Sequence, residues 1–406
     1  MKVDTNPKKI KELLERAIKK IYPSKKALEK LLKSGRRLRV YYGVDPTAPH
    51  LHLDHGTNLL ILRRFQDLGH QVIFLIGDFT AQIGDPSGRL SPRVQLSEKE
   101  VLRNCKNYKK QAGKILDFQS KKNPAKVVYN SKWLKKMNLQ KMLKLMSKMT
   151  HSRIIARDMF QRRIEQGKEI YLNEFIYPLL QGYDSVVLDV DVEVGGSDQI
   201  FNMLVGRDLL RIYRKKEKFV MAKELLAEPK TGKILMSKSE GRYIALDETP
   251  NQMYGKIMAL PDEVIGKGLE HWTMVPFSQV KKIAQQLEKG KINPQDSKAF
   301  LAREVVKLYY GVKASEKAEE EFKRVFKEKK LPSKIPVFKT SKKEIEILDL
   351  LCQTGLSTSR SQAKRLILQG GVKIDGKIKT NWKERIKVKK GMIVQVGKRK
   401  FIKISC

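Results

Sequence analysis

Residues 38–76, LRVYYGVDPTAPHLHLDHGTNLLILRRFQDLGHQVIFLI, decide the fold of this chain. The opening letters, LRVYYG, are rich in β-branched and aromatic residues and predict a strand. After a loop, apolar residues at helical spacing predict a helix from His52 to about Leu68, which Gly69 ends. The closing apolar run, QVIFLI, predicts a second strand. Strand, helix and strand form a βαβ unit, so we expect an α/β fold with a parallel sheet that binds ligands at the carboxyl ends of its strands.

Further elements of the same kind follow along the chain. Ser97 and Glu100 have the spacing of a capping box, which predicts a helix from there to about Leu116. Residues 127–129 predict a short strand, and the alternation in 186–194 (VVLDVDVEV) predicts another. A helix is expected after the second of these strands, and two short helices are expected before residue 38.

The pattern divides the chain into four segments. Residues 1–246 carry the parallel-sheet pattern, and helical periodicity punctuated by prolines predicts an α-helical domain over 247–325. Residues 326–342 are basic and contain two prolines, which indicates a linker. Residues 343–406 read as two helices followed by short strands separated by glycines. We therefore expect a small α+β domain at this end of the sequence.

Size and charge limit the possible partners. The chain has 406 residues, 41% of them hydrophobic, which is enough for two or three domains with a sizeable core. Its 84 basic and 44 acidic residues give a formal net charge of +40, which attracts polyanions such as tRNA, rRNA or an acidic membrane surface. The alternative is a lysine-rich surface that reflects genome composition or heat adaptation. We favour a polyanionic partner because the basic excess persists in 343–406.

Cysteine content and hydropathy predict the compartment. Cys105, Cys352 and Cys406 are too few and too scattered for a disulfide framework or a cysteine zinc site. The N-terminus lacks the apolar segment of a signal peptide, and no run reaches about 18 apolar residues. We expect a soluble, cytoplasmic protein without a membrane partner.

Two short motifs carry the candidate chemistry. His52 and His55 stand on the first turn of the predicted helix, whose positive N-terminus and backbone N–H groups favour an anion such as phosphate. By itself, His-x-x-His more often marks surface or capping histidines. The preceding GVDPT segment (43–47) favours a nucleotide site instead. The second motif, MSKS (236–239), follows in a loop bounded by glycine and lysine.

Together with the segments between them, these motifs resemble the HIGH and KMSKS elements of class I aminoacyl-tRNA synthetases. Four segments are similar, in order, to those of tyrosyl-tRNA synthetases: YYGVDPTAPHLHLDH (41–55), GDPSG (84–88), YPLLQGYD (177–184) and GGSDQ (195–199). The likeness covers nearly the whole chain. It is closest to bacterial enzymes that carry a short C-terminal RNA-binding domain.

This resemblance implies the fold and the activity. It implies a Rossmann-like catalytic domain over 1–246, an α-helical anticodon-side domain over 247–325 and a ribosomal-protein-like RNA-binding domain over 343–406. The implied activity is the ATP-dependent conversion of L-tyrosine to tyrosyl-adenylate, followed by transfer to tRNA(Tyr). Mg²⁺ would accompany ATP, no dedicated protein ligands for a metal are evident, and the enzyme would be a homodimer.

The resemblance also assigns an amino-acid pocket. Tyr41 and Asp184 would hold the phenol hydroxyl of tyrosine, and a buried pair of this kind rejects phenylalanine because its ring leaves them unpaired. Taken without the other motifs, Tyr177, Gln181 and Asp184 would be one face of a helix, with a buried tyrosine and solvated polar neighbours. The residues implied to contact the ammonium and carboxylate of tyrosine are Asp85, Tyr177, Gln181 and Gln199.

The nucleotide site is implied in the same way. Asp198 would accept a hydrogen bond from the ribose, Gly196 would let the nucleotide approach the backbone, and Lys238 would neutralise the leaving pyrophosphate. The residues implied to bind ATP are Gly43, Asp45, His52, His55, Gly196, Asp198, Met236, Ser237 and Lys238. The catalytic contacts to phosphate, or to the 3′ end of tRNA, would come from His52, His55, Thr47, Lys238, Arg89 and Arg93.

A basic surface is expected in the last segment. Residues 355–376, GLSTSRSQAKRLILQGGVKIDG, resemble a small RNA-binding fold shared with a ribosomal protein. Arg360, Lys364 and Arg365 lie on or beside one helix, and Lys373 lies in the hairpin that follows. Solvated helix charge is the alternative; we predict that these four residues bind tRNA.

Two positions depart from the family pattern. Asp54 stands where the HIGH element has glycine, and Leu235 stands where KMSKS begins with lysine, although Lys233 could partly replace it. A side chain and a negative charge at 54 should weaken ATP binding, unless the carboxylate caps the helix or meets an arginine or lysine. On sequence grounds, an Asp54→Gly variant should therefore be the more active protein.

Two rival interpretations remain at this stage. The first is a tryptophan–tRNA ligase, against which Tyr41, Asp184 and the C-terminal segment argue. The second is a synthetase-derived RNA-binding protein whose ATP site is attenuated at Asp54 and Leu235. Retention of the histidines and of the tyrosine-contact set argues for a working site.

Overall fold

The computed structural model describes residues 2–88, 91, 94–228, 232, 234–236, 243–328, 331, 335–397 and 400–405. Residue contacts divide the chain into two compact units, Met1–Glu316 and Lys317–Cys406. The division into four segments made from the sequence stays a prediction.

A six-stranded sheet forms the centre of the larger unit. Its strands are β1 (Ile18–Tyr22), β2 (Arg39–Val44), β3 (Gln71–Ile76), β4 (Lys126–Tyr129), β5 (Val192–Gly196) and β6 (Phe219–Lys223). The spatial order is β1-β6-β5-β2-β3-β4, and every neighbouring pair is parallel except β1 with β6. The order reverses direction between β2 and β5, where Tyr41 lies opposite both Ile73 and Glu193. Ligands of open α/β sheets bind at such a switch point.

Helices surround this sheet and continue beyond it. In chain order they are α1 (Pro7–Glu15), α2 (Lys25–Lys33), α3 (Leu53–Asp67), α4 (Thr80–Ile83), α5 (Glu98–Cys105), α6 (Tyr108–Ala112), α7 (Ser131–Leu134), α8 (Leu139–Met146), α9 (His151–Ile155), α10 (Asp158–Glu165), α11 (Leu172–Leu188), α12 (Ile200–Arg214), α13 (Pro250–Met258), α14 (Ile265–Trp272), α15 (Phe277–Glu288), α16 (Pro294–Tyr310) and α17 (Val312–Phe322). Short 3-10 turns occupy Ser197–Gln199 and Asp262–Val264, and a π-helical turn occupies Lys323–Lys327.

The βαβ unit predicted from the sequence is confirmed. Strand β3 is buried along almost its whole length, which explains its continuous apolar run. Helix α3 has buried residues on nearly every side because the sheet covers one face and the helices after residue 250 approach another. The confirmed α/β fold therefore places the N-terminus of α3 beside the carboxyl end of β2.

Three details differ from the sequence-based predictions. The strand predicted over 186–194 is wrong in its first half: α11 continues to Leu188, where Val186 packs in an apolar cluster with α12, and β5 begins only at Val192. Asp189, in the left-handed conformation, ends that helix. The helix predicted from Ser97 is two helices, α5 and α6. Strand β1, between the first two helices, was not predicted; it is a half-exposed edge strand with little periodic signal.

A buried arginine joins the N-terminal helix to the helical region. The Arg16 guanidinium donates to the backbone carbonyls of Glu270 at 2.8 Å, Val275 at 2.7 Å and Thr273 at 2.7 Å. These carbonyls lie around the C-terminal end of α14, where a positive charge is stabilised by the helix dipole. The helices through α16 therefore pack in the same compact unit as the sheet.

The smaller unit is an α+β module, as predicted. Its elements are β7 (Val337–Lys339), β8 (Glu344–Glu346), α18 (Ile347–Gln353), α19 (Arg360–Leu368), β9 (Val372–Ile374), β10 (Lys377–Lys379), β11 (Arg385–Lys387), β12 (Ile393–Val396) and β13 (Lys400–Ser405). One sheet has the order β10-β9-β12-β13-β7, and β11 pairs with β8. The two helices and the main sheet share one apolar core. Of the helices in the described part of the chain, none combines the length and the apolar character needed to cross a membrane.

Candidate active site

A cleft of about 550 Å³ opens at the switch point of the sheet. Strands β2 and β5, the first turn of α3 and one face of α11 form its walls. The sequence-predicted residues that line it are Tyr41, Gly43, Asp45, Thr47, His52, His55, Asp85, Tyr177, Gln181, Asp184, Gly196, Asp198, Gln199 and Met236. Residues from five separated segments of the sequence thus meet in one cavity, as the parallel sheet predicts.

The other predicted site residues fall into two groups. Arg89, Arg93, Ser237 and Lys238 fall outside the described residues. The four predicted tRNA-binding residues belong to the smaller unit, which is described by itself.

One end of the cleft is a buried polar pocket. The Tyr41 hydroxyl lies 2.9 Å from Ser185 Oγ, and the ring is fully buried. Asp184 accepts hydrogen bonds from Trp133 Nε1 at 2.8 Å and from Asn130 Nδ2 at 3.2 Å. Burial raises the pKa of Asp184 well above its ordinary value, and burial with nearby Glu193 and Asp184 raises the pKa of Tyr41. The Tyr41 hydroxyl therefore stays protonated and acts as a donor as well as an acceptor.

A second carboxylate organises the middle of the cleft. Asp45, at the end of β2, accepts from Tyr177 Oη at 2.9 Å and from Thr80 Oγ1 at 2.7 Å. Gly77 is required beside it, because a Cβ there would collide with the Asp45 carboxylate. Since the Tyr177 hydrogen goes to Asp45, its oxygen presents lone pairs to the cleft.

The GDPSG turn presents a third carboxylate. Asp85 accepts from Gln199 Nε2 at 2.6 Å, from Asn202 Nδ2 at 3.3 Å and from the backbone N–H of Ser87 at 3.0 Å. The turn is thereby tied to the start of α12. Together with the oxygen of Tyr177, this carboxylate forms an acceptor-rich region suited to an ammonium group.

The sequence did not identify a buried network below these residues. Lys218 forms an ion pair with Glu193 and donates to Ser185 Oγ at 2.8 Å. Glu193 in turn accepts from Gln181 Nε2 at 3.2 Å. The sequence contained two indications of this network. Glu193 is a charged residue within the buried strand β5, and Lys218 directly precedes the buried strand β6, so each charge needs a partner.

The opposite end of the cleft is formed by the first turn of α3. The backbone N–H of His52, the N-cap residue, donates to Nδ1 of His55 at 3.1 Å. The centres of the two imidazole rings are 3.7 Å apart. An imidazole that accepts through Nδ1 carries its hydrogen on Nε2, so this contact fixes His55 as a donor through Nε2. Histidine donors at a helix N-terminus are well placed to bind phosphate oxygens.

Asp54 meets a lysine, one of the two outcomes that the sequence left open. Its carboxylate forms an ion pair with Lys223, whose side chain is fully buried at the end of β6, while that of Asp54 is 21% exposed. Burial raises the pKa of Asp54, but the positive charges of Lys223 and His52 together lower it by more, so the pKa lies below its ordinary value. The carboxylate is thus ionised and held at the wall of the cleft.

The GGSDQ turn completes this end of the cleft. Gly196 has no space for a side chain, because a Cβ would collide with the Asp198 carboxylate. Asp198 accepts from Gln199 Nε2 at 3.1 Å. A glycine backbone and a carboxylate side by side at the cleft wall are groups suited to a ribose.

In the smaller unit, the predicted basic residues differ in their environments. Arg360 is paired with Glu346, at 2.9 Å, and with Asp349. Lys364 Nζ lies 4.2 Å from the centre of the Trp382 ring. Arg365 is also exposed, and Lys373 is half-buried on β9. The face of α19 thus carries the cations predicted from its spacing, one of them already neutralised.

The described residues contain no group of three or more histidine, cysteine, aspartate or glutamate side chains placed to hold a metal ion. The cleft instead offers acceptors for an ammonium, a buried hydroxyl and carboxylate for a polar aromatic group, and donors at a helix N-terminus for phosphate. Chemically, it is suited to hold an amino acid next to a nucleotide.

Comparisons with known proteins agree with this chemistry. A family model described as tRNA synthetases class I (W and Y) matches residues 33–327, and one described as the tyrosine–tRNA ligase SYY-like C-terminal domain matches residues 327–404. A tyrosine–tRNA ligase of Carboxydothermus hydrogenoformans is 44% identical over 404 residues, covering 97% of each chain. One from Thermotoga maritima is 42% identical over 399 residues, covering 98% of each chain.

Solved structures resemble the fold. A C-terminally truncated mitochondrial tyrosyl-tRNA synthetase of Aspergillus nidulans has a TM-score of 0.66 at 23% identity, covering 78% of this chain and 94% of its own. A tyrosyl-tRNA synthetase of Archaeoglobus fulgidus, complexed with L-tyrosine, has a TM-score of 0.60 at 20% identity, covering 78% and 99%. At these identities the likeness shows a class I synthetase fold.

Proposed function

Because the chain belongs to the class I tRNA synthetases, and among them to the tyrosine–tRNA ligases, we propose that the residues of its cleft bind tyrosine and ATP side by side. The family joins tyrosine to tRNA at the expense of ATP. Neither the tryptophan alternative nor an RNA-binding protein without ligase activity is favoured, since the similar full-length proteins are tyrosine–tRNA ligases.

The buried pocket takes the phenol ring of tyrosine. Tyr41 and Asp184 bind its hydroxyl, because both are buried and face the cleft. The raised pKa of Asp184 falls when the hydroxyl donates to it, so the substrate stabilises the ionised carboxylate. Phenylalanine has no hydroxyl, so Tyr41 and Asp184 would lose the additional hydrogen bonds that tyrosine forms with them.

The acceptors in the middle of the cleft take the ammonium group. We assign Asp85, the Tyr177 oxygen and Gln181 Oε1 to it, and Gln199 to the carboxylate. Asp45 acts on the substrate through Tyr177, because it accepts the Tyr177 hydrogen and so turns the oxygen lone pairs outward. The carboxylate of tyrosine is thereby directed toward the histidine end of the cleft.

ATP occupies that end of the cleft. Gly43, Gly196 and Asp198 hold the adenosine, with Met236 as an apolar wall, while Thr47, His52 and His55 donate to the phosphates. We assign Ser237, Lys238, Arg89 and Arg93 to the phosphates and the 3′ end of tRNA from the sequence motifs. Mg²⁺ would enter with ATP as a companion of its phosphate oxygens, whose charge it neutralises.

The reaction follows in two steps. A carboxylate oxygen of tyrosine attacks the α-phosphorus of ATP, and the bond to the β-phosphate oxygen breaks to release pyrophosphate. The terminal ribose hydroxyl of tRNA then attacks the tyrosyl carbonyl, loses its proton and displaces AMP. In both steps the protein supplies position and preorganised donors for developing charge.

The smaller unit would bind tRNA through Lys364, Arg365 and Lys373, with Arg360 beside them. Exposed cations on one helix face fit the phosphate backbone. We place the enzyme in the cytoplasm, because the similar tyrosine–tRNA ligases are bacterial and because the thiols of Cys105 and Cys352 are expected to stay reduced there.

A homodimer is supported by an exposed apolar stripe on α8. Leu139, Leu143 and Met146 recur at helical spacing and are 74%, 57% and 39% exposed. On the opposite side of the helix, Leu145 packs in the core. An apolar face in addition to a core face is the pattern of a helix at a subunit interface, and a Leu139→Asp, Leu143→Asp double variant should sediment as a monomer.

One observation carries the proposal: residues from five segments place a buried hydroxyl and carboxylate at one end of a single cleft and a histidine-bearing helix N-terminus at the other. Aminoacylation of tRNA with tyrosine, phenylalanine and tryptophan, measured side by side, tests it. We expect charging with tyrosine alone. A protein that bound tRNA tightly but charged it with none of the three would overturn the proposal.

A further inference from the structure

We propose that the buried Lys218–Glu193 ion pair is a positioning element that sets the direction of hydrogen bonds at both ends of the tyrosine pocket. This inference rests on the proposed tyrosine site. Neither residue belongs to the contacts assigned above. Both belong to the network that lies beneath those contacts.

The pair is built into the core of the larger unit. The side chains of Lys218 and Glu193 are 0% and 3% exposed. Helix α12 makes room for the ammonium with a glycine: a Cβ on Gly206 would lie 2.6 Å from Lys218 Nζ and 2.9 Å from Ser185 Oγ. A buried charge is stable only when it is paired and hydrogen-bonded, so each member depends on the other.

One arm of the network reaches the ammonium end of the pocket. A carboxylate only accepts, so the Gln181 atom 3.2 Å from Glu193 Oε1 must be the amide nitrogen. The amide oxygen therefore faces away from Glu193. Gln181 Oε1 is buried without a hydrogen-bond partner in the described part of the chain. An acceptor held in this way matches the ammonium group of an amino acid.

The other arm reaches the phenol end. An ammonium only donates, so Ser185 Oγ accepts from Lys218 at 2.8 Å and has its own hydrogen to give. The Tyr41 oxygen is 2.9 Å away and the nearest Glu193 oxygen is 3.4 Å away, which favours donation to Tyr41. Tyr41 then keeps its own hydrogen to give, and a substrate hydroxyl competes for it with the nearby Glu193 carboxylate.

Removal of the ammonium releases these directions. Without Lys218, Glu193 is a buried carboxylate with no cation beside it, and it takes up a proton. A protonated Glu193 has an O–H donor as well as an acceptor oxygen, so the Gln181 amide is no longer restricted to the orientation that directs its oxygen to the ammonium site. In the flipped orientation, tyrosine meets a donor where it needs an acceptor.

Pyrophosphate exchange on the full-length protein tests this chain of contacts. We expect Lys218→Met to raise KM for tyrosine about ten- to hundredfold, the loss expected for a hydrogen bond to a charged group, and to leave KM for ATP within about twofold. Lys216→Met is the matched control. Lys216 lies two residues earlier and pairs with Asp189 and Asp191, each at 3.2 Å, away from the cleft lining. This variant should keep both constants.

A rescue variant separates positioning from simple loss of stability. In Glu193→Gln, Lys218→Met the residue at 193 is neutral and its amide oxygen again accepts from Gln181, so KM for tyrosine should return to within about threefold of the wild-type value. Equal rises in both KM values, an unchanged KM for tyrosine in Lys218→Met, or no rescue would each overturn the inference. Wild-type protein that showed no tyrosine-dependent exchange would instead overturn the proposed function, and this inference with it.

Discussion

Replacing Asp54 with glycine is expected to weaken this protein, although glycine is the residue that the family motif has there. The reason is Lys223. Its side chain is fully buried and its ammonium is paired with Asp54. Among the described residues, the hydrogen-bond partner left to that ammonium in the Asp54→Gly variant is the carbonyl of Glu224, at 3.3 Å. The ion pair thus gives a physical reason to expect a loss where the sequence motif predicts a gain.

The size of the effect follows from the burial of the pair. Breaking a buried ion pair by removing one partner costs about 3–5 kcal/mol, and the partial exposure of Asp54 favours the lower end. At about 2.1 cal/mol/K per residue, the larger unit, Met1–Glu316, has an unfolding entropy of about 0.7 kcal/mol/K. A loss of about 3 kcal/mol therefore lowers its thermal midpoint by about 4–5 °C.

A double-mutant cycle provides the assay. Thermal unfolding and tyrosine-dependent pyrophosphate exchange are measured for the wild type, Asp54→Gly, Lys223→Met and the double variant. Replacing the whole pair with uncharged groups is often neutral or stabilising. The thermal midpoint of the double variant should therefore return most of the way to the wild-type value. The coupling energy between the two positions should be about 3 kcal/mol.

One result would refute this reasoning. If Asp54→Gly were as stable as the wild type and more active in exchange, Asp54 would act only as a steric and electrostatic obstacle to ATP. Lys223 would then be accommodated without its partner.

Three further predictions concern other parts of the molecule. Burial lowers the pKa of His70 to about 4. The contribution of the neutral imidazole to the free energy of unfolding is therefore complete above about pH 6.5 and is lost as the pH falls toward 4. In a His70→Asn variant, whose amide oxygen can still accept from the Leu38 N–H, up to about 3 kcal/mol of that pH dependence of the free energy of unfolding should disappear. Tyr41→Phe should lower kcat/KM for tyrosine about tenfold and leave the value for phenylalanine unchanged, so equal losses for both amino acids would contradict the assigned role. The third prediction concerns the affinity for tRNA, measured at several salt concentrations. Lys364→Ala should weaken this affinity and reduce its salt slope by about 0.9, whereas Arg360→Ala should change both less, because Arg360 is already paired with two carboxylates. The opposite order would count against the proposed RNA surface.

Short-range patterns predicted much of this fold. The βαβ unit over 38–76, the capping box at Ser97 and the helical character of α19 depend on residues within a few turns of one another, and the structure has all three. The first half of the strand predicted over 186–194 was wrong because that prediction also used only short-range pattern. Alternation of apolar residues over a short run is compatible with a helix end packed on another helix, and only the contact with α12 decides between them.

The sequence by itself determined the family, the sheet and the residues that line the cleft, because motifs in order along a βαβ pattern meet at the carboxyl ends of parallel strands. Tertiary structure alone decided which charges compensate one another. Asp54 and Lys223 are 169 residues apart, and Glu193 and Lys218 are 25 apart, so no local pattern pairs them. Burial makes an unpaired charge costly, and only the folded chain shows which partner lies close enough to offset that cost.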